Sequence, residues 1–218
     1  MTHSRLVHSE VAADRTRKLG TRANGRILEG HVYQNGFELV VIAAHWTSRV
    51  SDGADDGRRR MSYAKDCYGR VRAILTENPD ADVVVCGDFN DEFTDESVRI
   101  GLHATDDVES ARRASAEPQL LDLFARWERN NDPRGTIRHR GKWSVFDHLC
   151  VTRGLLDDAG WRCEKDTAEI FAPQLLRGRH GRDFEPFKFG NRSYGGPRGY
   201  SDHFPVTVQL RVAGAGTP

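Results

Sequence analysis

The sequence lacks a charge imbalance. Among its 218 residues, 32 lysines and arginines cancel 32 aspartates and glutamates, so the formal net charge is zero. No global field draws such a chain to nucleic acid or an anionic membrane, and any phosphate binding must come from local groups. Lysine is scarce, with 5 residues against 27 arginines. That bias reflects either planar phosphate recognition or genome-wide composition.

Long apolar runs and cysteine motifs are also missing. No segment approaches 18 consecutive apolar residues, and the N-terminal sequence MTHSRLVHSEVAADRTRKLG has no apolar core of a signal peptide. The cysteines show no Cys-x-x-Cys spacing, and Cys86 and Cys150 lie inside apolar runs, as small core residues do. We therefore expect a cytoplasmic protein with reduced thiols and neither an export signal nor a membrane span.

Strand and helix patterns alternate along the chain. RILEGHVY and FELVVIAAHW flank the pair Asn35-Gly36, which predicts a β-hairpin. Apolar residues recur at helical spacing from Met61 to Leu75, which predicts an amphipathic helix. It leads directly into ADVVVC, a continuous apolar strand of the kind that is buried on both faces. This order indicates an α/β fold, and without a linker or repeat we expect a single domain over 1–218.

The second half of the chain has weaker patterns. We expect short helices at 96–102 and 119–127, a strand in SVFDHLCV and a last strand in FPVTVQLRV. The segment 176–200 is rich in glycine, arginine and aromatic residues. It is too long for an ordinary connection, and loops of that length are commonly functional.

Polar residues with metal-binding or acid-base chemistry end the strongest strand patterns. They are His45, the pair Asp88 and Asn90, Asp147, and the pair Asp202 and His203. On an extended chain Asp88 and Asn90 point the same way, with Phe89 opposite, and two such oxygen donors suit Mg²⁺. Each motif alone has a simpler explanation, such as an Asx turn. Together they supply oxygen ligands, an acid-base histidine and carboxylates to orient it.

These motifs carry a family resemblance. AAHWTSR at 43–49, GDFND at 87–91, FDH at 146–148 and YSDHFPV at 200–206 resemble, in order and spacing, the endonuclease/exonuclease/phosphatase superfamily. The resemblance covers about residues 26–212 and implies a DNase I-like two-sheet α/β sandwich with flanking helices. It also implies hydrolysis of phosphate esters with a divalent ion, Mg²⁺ or Mn²⁺.

The resemblance further implies a role for each site residue. Asp88 would orient or deprotonate the attacking water, and Asn90 would hold the phosphate or a metal ion. His203 would contact the phosphate or move a proton, with Asp147 fixing its tautomer, and His45 would act from the opposite side. The implied catalytic residues are thus His45, Asp88, Asn90, Asp147 and His203, and the implied metal ligands are Asp88, Asn90 and Asp202.

The N-terminal part departs from the family pattern. Family members have a strand ending in asparagine and a second strand that delivers a metal-binding glutamate, both upstream of the position of His45. Only 44 residues precede His45, and neither Glu10 nor Glu29 matches that motif. We therefore expect an N-terminally incomplete sandwich. Its open sheet edge favours pairing, so the expected partner is an N-terminal complementing chain or a second copy in a homo-oligomer.

The fold does not choose a substrate. Basic stretches at 57–60, 134–142 and 176–182 line a groove for a polyanion or are solvated surface. A nuclease acting on DNA or RNA is our leading hypothesis. The alternatives are a small-substrate phosphatase and a non-catalytic binding module that lacks the metal-binding glutamate.

Overall fold

The fold is built on one mixed β-sheet. The computed structural model describes residues 17–18, 27–49, 57–127, 133–180, 183–188 and 199–214. Its strands are β1 (Arg17–Lys18), β2 (Ile27–Gln34), β3 (Phe37–His45), β4 (Asp82–Asp88), β5 (Ala104–Thr105), β6 (Leu120–Asp122), β7 (Ile137–His139), β8 (Lys142–Ser144), β9 (Asp147–Val151), β10 (Trp161–Ile170), β11 (Arg177–His180), β12 (Asp183–Pro186) and β13 (Val206–Val212). The α-helices within these ranges include α1 (Arg58–Glu77) and α2 (Val108–Arg112). Seven strands form the sheet in the order β1-β2-β3-β4-β9-β6-β5.

The predicted hairpin, helix and buried strand are confirmed. β2 and β3 pair antiparallel around Asn35 and Gly36, whose φ values of 53° and 85° suit a tight hairpin turn. Helix α1 then carries the chain back, so β4 lies parallel to β3. Strand β9 pairs antiparallel with the other edge of β4. The three strands whose ends carry polar motifs are therefore neighbours.

Helix α1 covers one face of the sheet. Its side chains Ala64, Cys67 and Val71 are fully buried, and they belong to one core cluster with Val83 and Val85 of β4. The spacing of these helix residues places them on one stripe, whereas alternate residues of β4 face the same side. Burial of this stripe fixes the helix against the sheet.

A second, smaller sheet covers the opposite face. Strands β10 and β13 pair antiparallel, and Trp161, Cys163 and Leu210 share a core cluster with Leu39 and Val84 of the central sheet. The molecule is therefore an α/β sandwich of two sheets with a flanking helix, as the sequence predicts. The single-domain assignment of 1–218 stays a prediction.

Of the two predicted short helices, the one at 96–102 is confirmed as a short helix and the one at 119–127 is wrong. Residues 97–101 form a π-helical turn. The segment 119–127 contains β6, which pairs with β5 and β9. The apolar residues of 119–127 fit the spacing of a helix and that of a strand equally well. Pairing with β9 places Asp122 beside the buried His148. The predicted strand 144–151 divides into the end of β8 and β9, and within 176–200 the described residues form the hairpin β11–β12.

The structure also bears on the cysteine thiols and on membrane-spanning helices. All four cysteines are free, and Cys150 is fully buried. Within the described ranges no helix is long and apolar enough to cross a membrane.

Candidate active site

Three neighbouring strands bring the site together. His45, the last residue of β3, lies in register with Asp88, the last residue of β4. Asp88 in turn lies in register with Asp147, the first residue of β9. Because β3 and β4 are parallel and β9 is antiparallel to β4, these ends meet at one edge of the sandwich. The site is thus fixed by backbone pairing rather than by a flexible loop.

Gly87 allows the close approach of β3 and β4 at this edge. Its φ is 131°, a region that residues with a side chain rarely adopt. A Cβ at this position would lie 2.0 Å from the carbonyl oxygen of Ala44. Only glycine therefore lets β4 deliver Asp88 beside His45.

His203 is held by Asp147 and faces Asp88. Its Nδ1 lies 2.7 Å from Oδ2 of Asp147, and its Nε2 lies 3.8 Å from Oδ2 of Asp88. Because an ionised carboxylate only accepts, Nδ1–H donates to Asp147, and Nε2 faces the cleft. Burial lowers the pKa of His203, but the hydrogen bond and charge of Asp147 outweigh it, so the pKa is raised.

Asp88 is the centre of the group. Its Oδ1 accepts a hydrogen bond from the backbone N–H of Asn90 at 2.9 Å, and its Oδ2 lies 3.5 Å from Nε2 of His45. Burial and the negative charge of Asp147 raise the pKa of Asp88, although the two histidines oppose this effect. A carboxylate whose proton affinity is raised by a neighbouring carboxylate is a favourable place for a cation.

The donor set fits a divalent ion. One ligand atom from each of Asp88, Asp147 and His203 lies within 4.8 Å of the others. Carboxylate oxygens are the ligands that Mg²⁺ and Mn²⁺ prefer. The residues present therefore fit a divalent ion.

Asn90 departs from the predicted geometry. The strand ends at Asp88, and Asn90 has a left-handed φ of 54°, so the two side chains do not project together from one extended segment. The Asn90 Nδ2 donates to the carbonyl oxygen of Trp46 at 3.2 Å, and Arg49 Nε donates to the Asn90 carbonyl at 2.9 Å. Trp46 and Arg49, which both follow β3 in the sequence, thus hold the tight turn after β4.

Asp202 is placed beside the group rather than in it. Its side chain is exposed, whereas His203 is half-buried. Among the described acidic and histidine residues, the three-membered group contains Asp88, Asp147 and His203. The assignment of Asp202 as a metal ligand stays a prediction, as do the catalytic roles of the other residues.

Sequence reasoning missed Asp91, the last residue of GDFND. Its buried carboxylate lies 2.8 Å from Arg60 Nε of α1 and 3.0 Å from a terminal nitrogen of Arg49. The hydroxyl of Ser97 donates to it at 2.5 Å. Asp91 therefore ties the turn that follows Asp88 to α1 and to the π-helical turn. In the sequence, the only indication of this role is that Asp91 is an acidic residue at the end of a strand motif.

Sequence reasoning also missed His148, although it is the last residue of the FDH motif. Its ring is fully buried and lies on the other side of β9 from Asp147. Phe89 stacks between the rings of Trp46 and His148, with centroids 4.2 Å and 5.2 Å away. The alternation of side chains along a strand distinguishes His148 from Asp147, because neighbouring residues of β9 face opposite layers.

Glu29 is engaged elsewhere. It is buried in β2, where Arg70 of α1 donates to both of its oxygens at 2.5 Å and 2.8 Å, and His31 Nε2 lies 3.0 Å away. Burial opposes the charge of Glu29, but Arg70 and His31 lower its pKa. Glu29 therefore forms an ion pair with Arg70 of α1. Glu10 lies outside the described residues.

A sandwich of two sheets with carboxylates and histidines gathered at one edge defines the DNase I-like class of α/β proteins. The profile of the Endonuclease/Exonuclease/phosphatase family matches residues 4–212. The chain belongs to this family, whose members are metal-dependent phosphoesterases. No curated protein matches the chain.

Solved structures share the fold at low identity. A mannosyl-6-phosphatase of Bacteroides thetaiotaomicron is 18% identical with a TM-score of 0.51, over 85% of this chain and 56% of that one. A truncated TDP2 of Caenorhabditis elegans is 18% identical with a TM-score of 0.50, over 91% of this chain and 66% of that one. A humanized D. rerio TDP2 is 14% identical with a TM-score of 0.51, over 90% and 67%. The chain spans little more than half of the Bacteroides protein, and these likenesses concern the fold alone.

Proposed function

We propose that this protein is a divalent-metal-dependent hydrolase of phosphodiester bonds, and that its substrate class is nucleic acid. One observation carries the proposal. Asp147 holds Nδ1 of His203 at 2.7 Å, and the free edge of that imidazole faces Asp88, with His45 on the far side of Asp88. A carboxylate-held histidine opposite a second carboxylate is suited to assist in-line attack by water on a phosphate.

Each residue of the site has its own proposed role in catalysis. Asp147 fixes the tautomer of His203, so Nε2 is the atom that contacts a phosphate oxygen or moves a proton there. Asp88 accepts from the attacking water and orients it, while its other oxygen is held by the Asn90 backbone. His45, at the end of β3, donates toward the phosphate or leaving oxygen. Donors placed in advance stabilise the charge that develops in the transition state more than that of the substrate.

Asp88 and Asp147 are the residues that would hold Mg²⁺ or Mn²⁺. When bound, such an ion would supply polarisation of a phosphate oxygen and a lowered pKa of a water. The support is the mutual proximity of the two carboxylates and His203, together with the raised pKa of Asp88 that burial and Asp147 cause.

Hydrolysis assays test the proposal. The purified protein is incubated with bis-p-nitrophenyl phosphate, plasmid DNA and RNA in Mg²⁺, Mn²⁺ or EDTA. We expect metal-dependent cleavage, and a loss of about a hundredfold in rate, roughly 3 kcal/mol of barrier, in Asp88→Ala and His203→Ala. Asp158→Ala is the matched control, because the Asp158 side chain is 82% exposed and pairs with Arg162 rather than with the site. Equal rates in all variants would contradict the mechanism.

The two rival functions give different results in the same assays. A small-substrate phosphatase cleaves p-nitrophenyl phosphate and sugar phosphates faster than the diester or nucleic acid. A binding module without turnover binds an oligonucleotide but hydrolyses none of these substrates.

A further inference from the structure

The hairpin β7–β8 carries an unusual concentration of unpaired positive charge. Residues 133–146 contain no aspartate or glutamate. Arg134, Arg140 and Lys142 are all exposed, and within the described part of the chain none of them forms an ion pair. His139 and Lys142 face each other at the tip, on either side of the turn made by Arg140 and Gly141.

This concentration contrasts with the rest of the described surface. Elsewhere cationic side chains are commonly paired with carboxylates, as in Arg70–Glu29, Arg72–Glu117, Arg126–Asp106, Arg153–Asp80 and Arg162–Asp158. With zero net charge for the whole chain, a cluster whose own segment, 133–146, contains no acidic residue creates a local positive field. Such a field is available to an anionic ligand because no carboxylate among the described residues pairs with these side chains.

The hairpin is attached directly to the candidate active site. Ile137 of β7 forms a backbone bridge with His203, and Phe204 N–H donates to the carbonyl of Thr136 at 2.8 Å. The Thr136 hydroxyl accepts from the backbone N–H of Phe146 at 3.1 Å, beside Asp147. The base of the hairpin is thus hydrogen-bonded to the segments that carry both members of the Asp147–His203 pair.

The direction of the hairpin is also fixed. Arg138 lies 3.0 Å from Glu185 of β12 and donates from Nε to the Gly141 carbonyl at 3.3 Å. The one paired arginine of the segment therefore braces the hairpin, and the unpaired cations remain at its tip. A braced hairpin presents its charges without the entropic cost of ordering a loop on binding.

We propose that the β7–β8 hairpin binds the backbone of a nucleic-acid strand, with Arg140 and Lys142 contacting phosphates beyond the one that His203 contacts. This rests on the proposed function. At about 3.3 Å per residue, the tip lies about 10 Å along the strand from the Ile137–His203 bridge. Phosphates of one strand are spaced by at least about 3.4 Å along the strand, so a tip about 10 Å away lies roughly one to three phosphates beyond the scissile one. A mononucleotide or sugar phosphate is too short to reach it.

The test measures binding in EDTA, so that it does not depend on hydrolysis. Fluorescence anisotropy gives the affinity of fluorescein-labelled single-stranded DNA and RNA oligonucleotides over about 50 to 200 mM salt. The variant is Arg140→Asn with Lys142→Gln, because the φ of Arg140 is 48° and asparagine tolerates that region. The control is Lys65→Gln with Arg113→Gln, which removes the same charge from exposed residues of α1 and of the segment after α2.

We expect the hairpin variant to bind more weakly, with a salt slope smaller by about 1.4 for two lost phosphate contacts to a single strand. The control should keep the wild-type slope, and both variants should hydrolyse bis-p-nitrophenyl phosphate at the wild-type rate. An unchanged slope in the hairpin variant, or an equal change in the control, would overturn the proposal. Binding to phosphatidylserine vesicles that depends on the hairpin, without binding to oligonucleotides, would overturn it in favour of a membrane surface.

The failure of this inference differs from the failure of the proposed function. If the wild-type protein hydrolyses no phosphate ester but the hairpin variant loses its salt-dependent binding, the proposed catalysis is wrong and the hairpin contact stands. If the diester is hydrolysed and the slope does not change, the catalysis stands and the hairpin contact is wrong.

Discussion

The Nδ1 atom of His148 lies 2.7 Å from Oδ2 of Asp122, and neither side chain is exposed to solvent. The Nε2 atom of the same ring lies 3.0 Å from the carbonyl oxygen of Asp91, directly after the turn that follows Asp88. Burial lowers the pKa of His148, but the charge and hydrogen bond of Asp122 outweigh it and raise the pKa. A buried pair therefore supports the candidate active site from within the core.

Breaking that pair should destabilise the protein strongly. Asp122→Ala leaves a buried imidazole without its carboxylate, and His148→Phe leaves a buried carboxylate without its imidazole. Each should lower the free energy of unfolding by about 3 to 5 kcal/mol, measured by urea denaturation. The double replacement Asp122→Leu with His148→Phe should lose clearly less than the sum of the single losses, because it leaves no unpaired charge. Additive losses would show that the two residues do not interact.

Asp82 should make stability fall between about pH 4 and pH 6. Its carboxylate is buried at the start of β4 and accepts from the backbone N–H of Trp161 at 2.8 Å. Burial, with the charges of Asp157 and Asp80, raises its pKa from 3.8 to about 6. Because the folded state binds the proton more tightly, this contribution is present below 3.8 and is lost as the pH rises through 6. The loss amounts to about 3 kcal/mol above that range.

The variant Asp82→Asn should remove this dependence. Its stability at pH 7 to 8 should exceed that of the wild type, and the difference between the two curves should vanish near pH 4, measured by urea unfolding across the pH range. Asp166→Asn is the matched control, because the Asp166 side chain is 90% exposed. Parallel curves for wild type and Asp82→Asn would show that Asp82 titrates normally.

Gly87→Ala should be destabilising out of proportion to its size. The added methyl would meet the Ala44 carbonyl oxygen at 2.0 Å, so β3 and β4 must separate where they carry His45 and Asp88. We expect a loss of at least 2 kcal/mol in stability and a marked loss of diesterase activity. Gly69→Ala on the exposed side of α1 meets nothing within 4 Å and should stabilise by about 0.5 to 1 kcal/mol. If both variants behave alike, the close approach at Gly87 is wrong.

Divalent ions should stabilise the folded protein through Asp88 and Asp147. At a hundredfold excess over Kd, an ion that binds only the folded state adds about 2.7 kcal/mol. For a chain of this length that corresponds to a rise of about 5 to 10 °C in the thermal midpoint. Mn²⁺ or Mg²⁺ should produce this rise in differential scanning fluorimetry, and EDTA should reverse it. Asp88→Asn and Asp147→Asn should lose the rise, and a rise that survives in both would place the ion elsewhere.

His45→Ala should affect rate without affecting stability. The His45 side chain is 64% exposed and lies 3.5 Å from Asp88, so little burial is lost when it is shortened. We expect kcat for the diester to fall by about a hundredfold at a similar KM, with the thermal midpoint unchanged. A fall in the midpoint together with an unchanged kcat would assign His45 a structural role.

The sequence predicts well where one signal dominates. Asn35-Gly36 predicts its hairpin, and the apolar spacing of α1 predicts the helix, because in both cases local chemistry and tertiary packing agree. His45, Asp88 and Asp147 lie at strand ends. They come together only because the parallel and antiparallel pairing of these neighbouring strands brings those ends to one edge of the sheet.

The remaining features depend on tertiary contacts. β6 is a three-residue strand whose apolar residues fit a helical period equally well, and its pairing with β9 decides its conformation. The role of His148 follows from the distant Asp122, and the orientation of Asn90 from the Trp46 carbonyl. Neither partner is local in sequence. The expected self-association and the expected glutamate from a complementing chain stay predictions.

The register that joins β3, β4 and β9 has a kinetic consequence. His45, Asp88, Asp147 and His203 are separated by tens of residues, so the cluster closes only after several long loops have been ordered, and such non-local pairings are formed slowly. Recovery of activity on refolding should therefore lag behind the recovery of α1, which is a local structure. Hydrolysis would then report completion of the sheet, whereas far-ultraviolet circular dichroism would report the earlier helix.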